Sequence, residues 1–431
     1  MTKPGFRGAH LRWPFDRDKR PFSVRLVEPT AYHPSSHAAI FNAALTAMLE
    51  PVRRPLDIYD AGAPTFNSRR FDLITFPEAF ITPGTLCDTL QAFKNFGASG
   101  CVHTGLRASV DENGPHLFST SEMQALVDDL TSILPTTKVD LRPFTLWLMN
   151  QDPRDYFNLG CLFLNDADGH TRVCLHPKLV RSKFEISSSR RQTMAEANLL
   201  TLITLMPRRK ELGTITLQPL ICSDVLPLET DSGRDPPMKA VNRFADCLGK
   251  APPDHIDIVS VVTCTPQSVR QRNGSSKPRI WHDLFRTAFL EAARDPACAR
   301  HHFAAIVLAN FREYRSSAAG LSGVFLPVAP TPLSFRPETT VSLWGRPSKR
   351  YKNNRWSEAG EAISAKWSPL GFIAALDPSY SGAGRIFGFT IHRLLREVSP
   401  WEQATRLTSI EIWDGVNDAA GKVKFIERVE P

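Results

Sequence analysis

The sequence predicts a layered α/β protein, and three observations carry that expectation. Short β-like runs alternate with stretches of helical periodicity along most of the chain, the order that produces sheets covered by helices. Hydrophobic residues make up 42% and charged residues 22% of the 431 positions, ordinary values for a chain that folds over most of its length. The 34 prolines are about 8% of the chain against a usual level of about 5%. They imply short elements separated by well-punctuated loops, and a protein of long helices is not expected.

Taken in order, residues 1–21 contain the basic cluster RGAHLRWPFDRDKR and read as a basic N-terminal segment. Strands are expected at FSVRLVEP, FDLITF, SGCVHTG, FTLWLMN, NLGCLFLN, HTRVCLH, GTITLQPLIC, IDIVSVVT, HFAAIVLAN and SGVFLPV. Helices are expected at HAAIFNAALTAMLE, SEMQALVDDLTSIL and WHDLFRTAFLEAARD. In the second of these Leu126, Val127, Leu130, Ile133 and Leu134 share one face, and Ser119 with Glu122 supplies a capping box. NLGCLFLN and HTRVCLH flank a polar turn ending in Gly169, the pattern of a hairpin. Polar, Pro-rich stretches near 230–255 and 266–279 read as insertions. Beyond Pro330 the alternation weakens, so 331–431 is set apart as a C-terminal extension and a candidate for oligomerisation.

Fifty-two basic against 44 acidic side chains give a net charge of +8, spread without a run of five or six like charges. A solvated surface accounts for it, and nucleic acid is a weakly supported partner. The eight cysteines form no C-x-x-C pair and stand at no zinc-finger spacing from a histidine, so no metal is expected. The pair His301-His302 reads as a loop-to-strand boundary for the same reason. The N-terminus has no apolar h-region and no window approaches 18 apolar residues. Reduced thiols in a cytoplasm are therefore expected, with no membrane span.

Three strand ends carry chemistry. LQPLICSDVLPLE ends a buried run on Cys222, Ser223 and Asp224; DLITFPEAF presents Glu78 just past a strand; RVCLHPKLVRSKFE presents Lys178. A sheet can aim groups held at its strand ends into one cleft. A thiol needs a base to become a nucleophile, which a buried carboxylate can supply. The negative charge that then develops on a carbonyl oxygen needs an ammonium and a backbone N–H. Glu78, Lys178 and the amide of Ser223 are the residues for those tasks.

The motifs FPEAF, HPKLVRSKFE and LICSDVLPLE resemble the glutamate, lysine and cysteine motifs of the nitrilase superfamily of carbon–nitrogen hydrolases, and YFNLGCLFLNDADGHTRVCLHPK resembles its asparagine-bearing strand, turn and return strand. IDIVSVV, a helix led by Trp281, IVLANF and GLSGVFLPV follow in the family's order, so the resemblance covers roughly 22–330 as one catalytic domain. It implies a four-layer α-β-β-α sandwich, a Glu78-Lys178-Cys222 triad, no cofactor, a small amide-type substrate and a homo-oligomer. It further implies that Glu185, seven residues after Lys178, positions substrate and holds the lysine; Lys183 fits the lysine role less well. Asn310, in VLANF, either caps its own turn or supports the site.

The gap from Glu78 to Lys178 is longer than usual for the family, and Ser223 replaces a bulkier residue. Asp224 in place of the glutamate of true nitrilases favours amide or carbamoyl hydrolysis. The expected function is thus a thiol amidohydrolase acting through a Cys222 thioester. A catalytically silent binding module with a basic surface and an acyltransferase using the same thioester are the alternatives.

Overall fold

The structure, a computed structural model, describes residues 7–15, 22–29, 34–47, 71–96, 100–111, 116–182, 185, 193–208, 213–225, 256–264, 268–269, 279–280, 305–311, 322–325, 341–342, 363–368, 371–376, 384–391, 407–414 and 424–429. The chain is a mixed α/β protein with two large sheets. The first runs in the order β1 (Arg7–Phe15), β9 (Leu199–Pro207), β10 (Ile215–Ile221), β11 (Ile258–Val262), β14 (Ala305–Ala309), β15 (Ser322–Phe325), β18 (Gly371–Leu376), β17 (Ile363–Ser368) and β16 (Val341–Ser342). The second runs β21 (Lys424–Val429), β20 (Leu407–Asp414), β19 (Gly384–Ile391), β2 (Phe22–Pro29), β3 (Leu73–Thr75), β4 (Cys101–Leu106), β7 (Leu159–Asn165) and β8 (Thr171–Pro177). Two short antiparallel pairs join β5 (Phe118–Ser119) to β6 (Tyr156–Phe157) and β12 (Ser268–Val269) to β13 (Arg279–Ile280). The described helices are α1 (Pro34–Ala47), α2 (Pro83–Phe96), α3 (Thr120–Ile133) and α4 (Lys138–Leu148), none long and apolar enough to cross a membrane.

Parallel runs form the middle of both sheets: β10 with β11 and β14, and β2 with β3 and β4. Every residue of β3, β4, β7, β10 and β11 is buried, as near-continuous apolar strands require when both faces are covered. The sheets meet where β10 packs on β7 and β11 on β3 and β4. A buried polar seam crosses that contact. Thr75 Oγ1 and His103 Nδ1 lie 3.0 and 2.7 Å from Ser260 Oγ, and His103 Nε2 lies 3.0 Å from His176 Nε2. Burial drives both imidazoles toward the neutral form, His176 down to about 3.

Local chemistry sets several elements as expected. β7 and β8 form the hairpin, with Gly169 at φ +81 and its N–H donating to Asp166 O at 3.0 Å; a left-handed turn position suits glycine. The Ser119 and Glu122 capping box starts α3, whose buried face holds Met123, Leu126, Val127 and Leu130.

FTLWLMN is corrected: it is not a strand but the end of α4. Asp140, Leu141, Phe144, Trp147 and Leu148 are its buried residues, a spacing of three and four that a helix satisfies. A short apolar run read alone does not separate the two periods. Nor is 7–15 a mere basic segment, because β1 pairs in parallel with β9 along its whole length. Ala9, Leu11, Trp13 and Phe15 are buried, and Trp13 Nε1 donates to Asp140 Oδ1 at 3.1 Å. The strands after Pro330 complete both sheets: β18 pairs with β15, and β19 pairs with β2 over eight residues. The helix expected from Trp281, the pair His301-His302 and most of the two polar insertions lie outside the described residues.

Candidate active site

Three strand ends converge here, as the sequence led one to expect. Glu78 sits just past β3 in a loop pinned on both sides: its N–H donates to Thr263 O at 3.2 Å, and Gly105 N–H donates to Pro77 O at 3.0 Å. Glycine is required at 105, since a Cβ there would lie 2.4 Å from both Glu78 Cα and Ala79 N. Lys178 follows β8 directly, and its N–H donates to Asn158 O at 2.8 Å, one step beyond the β7–β8 ladder. Cys222 follows β10, whose last residue Ile221 is in register with Val262 of β11.

The side chains then meet. Lys178 Nζ donates to Glu78 Oε1 at 2.8 Å and to Glu185 Oε1 at 2.9 Å. Asn158 Nδ2 donates to the same two oxygens, at 2.7 and 3.0 Å. Glu78 Oε2 accepts the Cys264 N–H at 2.9 Å. Glu185 Oε2 accepts the Ser182 N–H and hydroxyl at 2.8 and 2.9 Å. His116 Nε2 stands 4.0 Å from Glu185 Oε1, an ion-pair distance rather than a hydrogen bond. Lys178 is 1% exposed and Glu78, Glu185 and Cys222 are 5% or less, so these groups are tenable only because they satisfy one another.

Electrostatics follow from that arrangement. Burial by itself would lower the Lys178 pKa, but Glu185 and Glu78 outweigh it and hold the ammonium charged well above the usual lysine range. Burial likewise opposes ionisation of Glu185, yet Lys178 and the Asn158 and Ser182 donors hold its carboxyl far below the usual range. The Cys222 thiol is pushed well up, first by burial and then by the charge of Glu78, with Lys178 pulling the other way. Two carboxylates share one ammonium, so the surrounding charge together with burial favours the protonated Cys222 thiol over the thiolate.

The cysteine turn is strained and stapled. Cys222 has φ +45 and Ala79, next to Glu78, has φ +50; they are the only non-glycine residues with positive φ among the described residues. Each costs of order 1–3 kcal/mol, and such costs concentrate at functional sites. Ser223 Oγ donates to Val180 O. Asp224 Oδ1 accepts the Leu179 and Val180 N–H groups at 2.9 and 2.8 Å, and Oδ2 accepts the Ile221 N–H at 3.0 Å. These bonds fix the cysteine turn to the lysine loop, while burial pushes the Asp224 carboxyl up to about 7.

Glu78, Lys178, Cys222 and Glu185 thus form one cluster. Ser223 and Asp224 adjoin it, but their side chains are spent on backbone groups of the lysine loop and the turn itself. Asn310 Oδ1 accepts the Phe311 N–H at 2.8 Å, and its own N–H donates to Ser322 Oγ at 3.0 Å, the turn-capping arrangement. Lys183 lies outside the described residues. Sequence reasoning quoted Asn158 within the asparagine-bearing strand but gave no role to it, to the Cys264 N–H or to His116. Asn158 had a signal, the polar residue that opens NLGCLFLN; a backbone N–H has none in any sequence.

No family model matches this chain, and no curated protein matches it in sequence.

Proposed function

We propose that this protein is a carbon–nitrogen hydrolase of the nitrilase type, a thiol amidohydrolase with the four-layer α-β-β-α sandwich of that family. It would split an amide or carbamoyl C–N bond through a Cys222 thioester. The observation that carries the reading is the buried contact of Lys178 Nζ with Glu78 Oε1 and Glu185 Oε1, bound through Asp224 to the strained turn that presents Cys222.

The steps follow from the hydrogen bonds. Glu78 Oε1 is occupied by Lys178 and Asn158, whereas Oε2 accepts, among the described residues, the Cys264 N–H alone, so Oε2 is the oxygen that takes the Cys222 proton. The thiol loses that proton as sulfur attacks the carbonyl carbon, because burial disfavours a standing thiolate. The carbonyl π pair moves onto oxygen, where the third N–H of Lys178 and the Ser223 amide meet it, each donor contributing roughly 2.7–4 kcal/mol. Collapse of the tetrahedral intermediate breaks the C–N bond, and the proton on Glu78 leaves with the amine. Water, losing a proton to the same carboxylate, attacks the thioester carbon; the C–S bond breaks, the acid is released, and Glu78 returns the proton to sulfur. Glu185 holds the ammonium together with Glu78. The reading brings with it a small-molecule amide substrate and a homo-oligomer in the cytoplasm.

The test is a panel of small amides and N-carbamoyl compounds, scored for released ammonia or amine and for an acyl adduct on the Cys222 peptide after acid quench. Turnover with an adduct that is absent from Cys222→Ser supports the reading. Neither turnover nor adduct from any member, with the native fold intact, would sink it.

A further inference from the structure

Asn158 is fully buried, and its two amide hydrogens are divided between the two carboxylates that Lys178 also bridges. Its Oδ1 is buried and accepts no hydrogen bond from any described residue. An orphaned buried acceptor costs free energy that an apolar side chain of the same shape would not. The side chain is therefore paid for by its NH2 group alone. That group is also neutral. An arginine or lysine here would give the cluster as many cations as carboxylates and blunt the base, while an apolar residue would leave one ammonium to keep two carboxylates together.

We propose that Asn158 is a positioning residue for the reaction, which lets one lysine serve two carboxylates by giving each an uncharged N–H donor. The inference rests on the amidohydrolase reading and deepens it. Because Asn158 shares the load on both Oε1 atoms, the third N–H of Lys178 stays available to the oxyanion and Glu78 Oε2 stays aimed at the thiol. The backbone adds to this, since Asn158 O accepts the Lys178 N–H and so fixes the lysine opposite the asparagine across β7 and β8. Among the described residues, the charged or titratable groups around Glu78 are Lys178, Glu185, Cys222 and Cys264, with His116 beside Glu185.

The experiment is chloroacetamide labelling of the full chain across pH 5–9, with each cysteine-containing peptide quantified by mass spectrometry. It compares the unmodified protein with Glu78→Gln, Asn158→Leu and Asn158→Asp. Asn158→Leu keeps the branched shape, in a somewhat larger side chain, and removes both the donors and the orphaned acceptor. Expected are a lower melting temperature, since two buried carboxylates each lose a donor, roughly tenfold slower Cys222 labelling at pH 7, and an acid limb displaced upward by about one pH unit, the size of one lost charged hydrogen bond. Asn158→Asp, with a third carboxylate around one ammonium, should displace it further.

A merely structural asparagine would change the melting temperature and leave the pH profile where it was. Profiles of both variants that superimpose on the unmodified one would overturn the proposal, and so would loss of the native circular-dichroism signal in both. If Glu78→Gln abolishes the advantage of Cys222 over the other thiols while the Asn158 variants do not, this inference alone fails. If Cys222 of the unmodified protein has no such advantage, the amidohydrolase reading fails and takes this one with it.

Discussion

Replacing Lys178 with methionine tests the electrostatic core of the site through stability alone, without any assumption about substrate. Methionine fills much the same volume, so the change chiefly removes the ammonium that Glu78 and Glu185 share at 2.8 and 2.9 Å. Taking one partner from a buried ion pair costs about 3–5 kcal/mol. That cost should depend on pH in a definite direction. In the unmodified protein the Glu185 carboxyl lies below the ordinary glutamate value of 4.5, burial opposing and Lys178 favouring the charge. Its stabilising contribution is therefore fully present above pH 4.5 and is lost as pH falls through the depressed folded value. Without Lys178 burial dominates and the carboxyl moves above 4.5, so its contribution is full below pH 4.5 and is lost as pH rises. The two stability curves part already below pH 4.5, where the unmodified protein gains stability, and part further above it, where the variant loses stability. Urea denaturation followed by circular dichroism at pH 5 and pH 8 reads the second part directly. The midpoint of Lys178→Met should be lower by about 1 M or more at pH 8 and by less at pH 5. A midpoint difference that is the same at both pH values, or absent at pH 8, would refute the buried shared-ammonium account.

Three further outcomes are expected. Gly105→Ala should displace the Glu78 loop, because its Cβ would sit 2.4 Å from backbone atoms that have no rotamer to give; Cys222 labelling should fall by about 10–100-fold with the fold retained, and an unchanged rate would contradict the packing. Cys222→Gly should abolish labelling at that site but leave the melting temperature equal or higher, since the left-handed φ of +45 costs a side chain about 1–2 kcal/mol that glycine avoids; a clearly lower melting temperature would argue against strain at the nucleophile. Asp224 is held at about 7 by burial against an ordinary aspartate value of 3.8, so its contribution to stability is full below pH 3.8 and is lost as pH rises to 7, by about 4 kcal/mol. Asp224→Asn cannot titrate and should show a flatter stability curve over that window in urea titrations at successive pH values; curves of equal slope would show that the carboxylate is not strained by burial.

What could be read in the chain beforehand was local. The hairpin at Gly169, the capping box of Ser119 with Glu122 and the apolar face of α3 follow from spacing and turn chemistry that act within a few residues. The three strand ends bearing Glu78, Lys178 and Cys222 were legible for the same reason, since an apolar run that stops on a reactive side chain shows as much in a string of letters as in a fold. The helix at FTLWLMN was misread because its deciding contacts, through Leu141, Phe144 and Trp147, depend on a core face that a seven-residue window does not contain. β1 was hidden by its own charges, although Ala9, Leu11, Trp13 and Phe15 alternate at the strand period.

Sequence by itself determined which carboxylate, ammonium and thiol side chains stand at strand ends, because side-chain identity and β-alternation belong to residues and their neighbours in the chain. Tertiary structure decided how they are used. Only folding brings Lys178 across 100 positions to Glu78, spends Asp224 on three backbone N–H groups rather than on substrate, and sets Asn158 and the Cys264 N–H on carboxylates far along the chain. The physical reason is that a hydrogen bond is decided by distances of tenths of an ångström between groups that the sequence leaves unrelated. Burial, which gives those bonds their strength, is a property of the packed sheets and of no single segment.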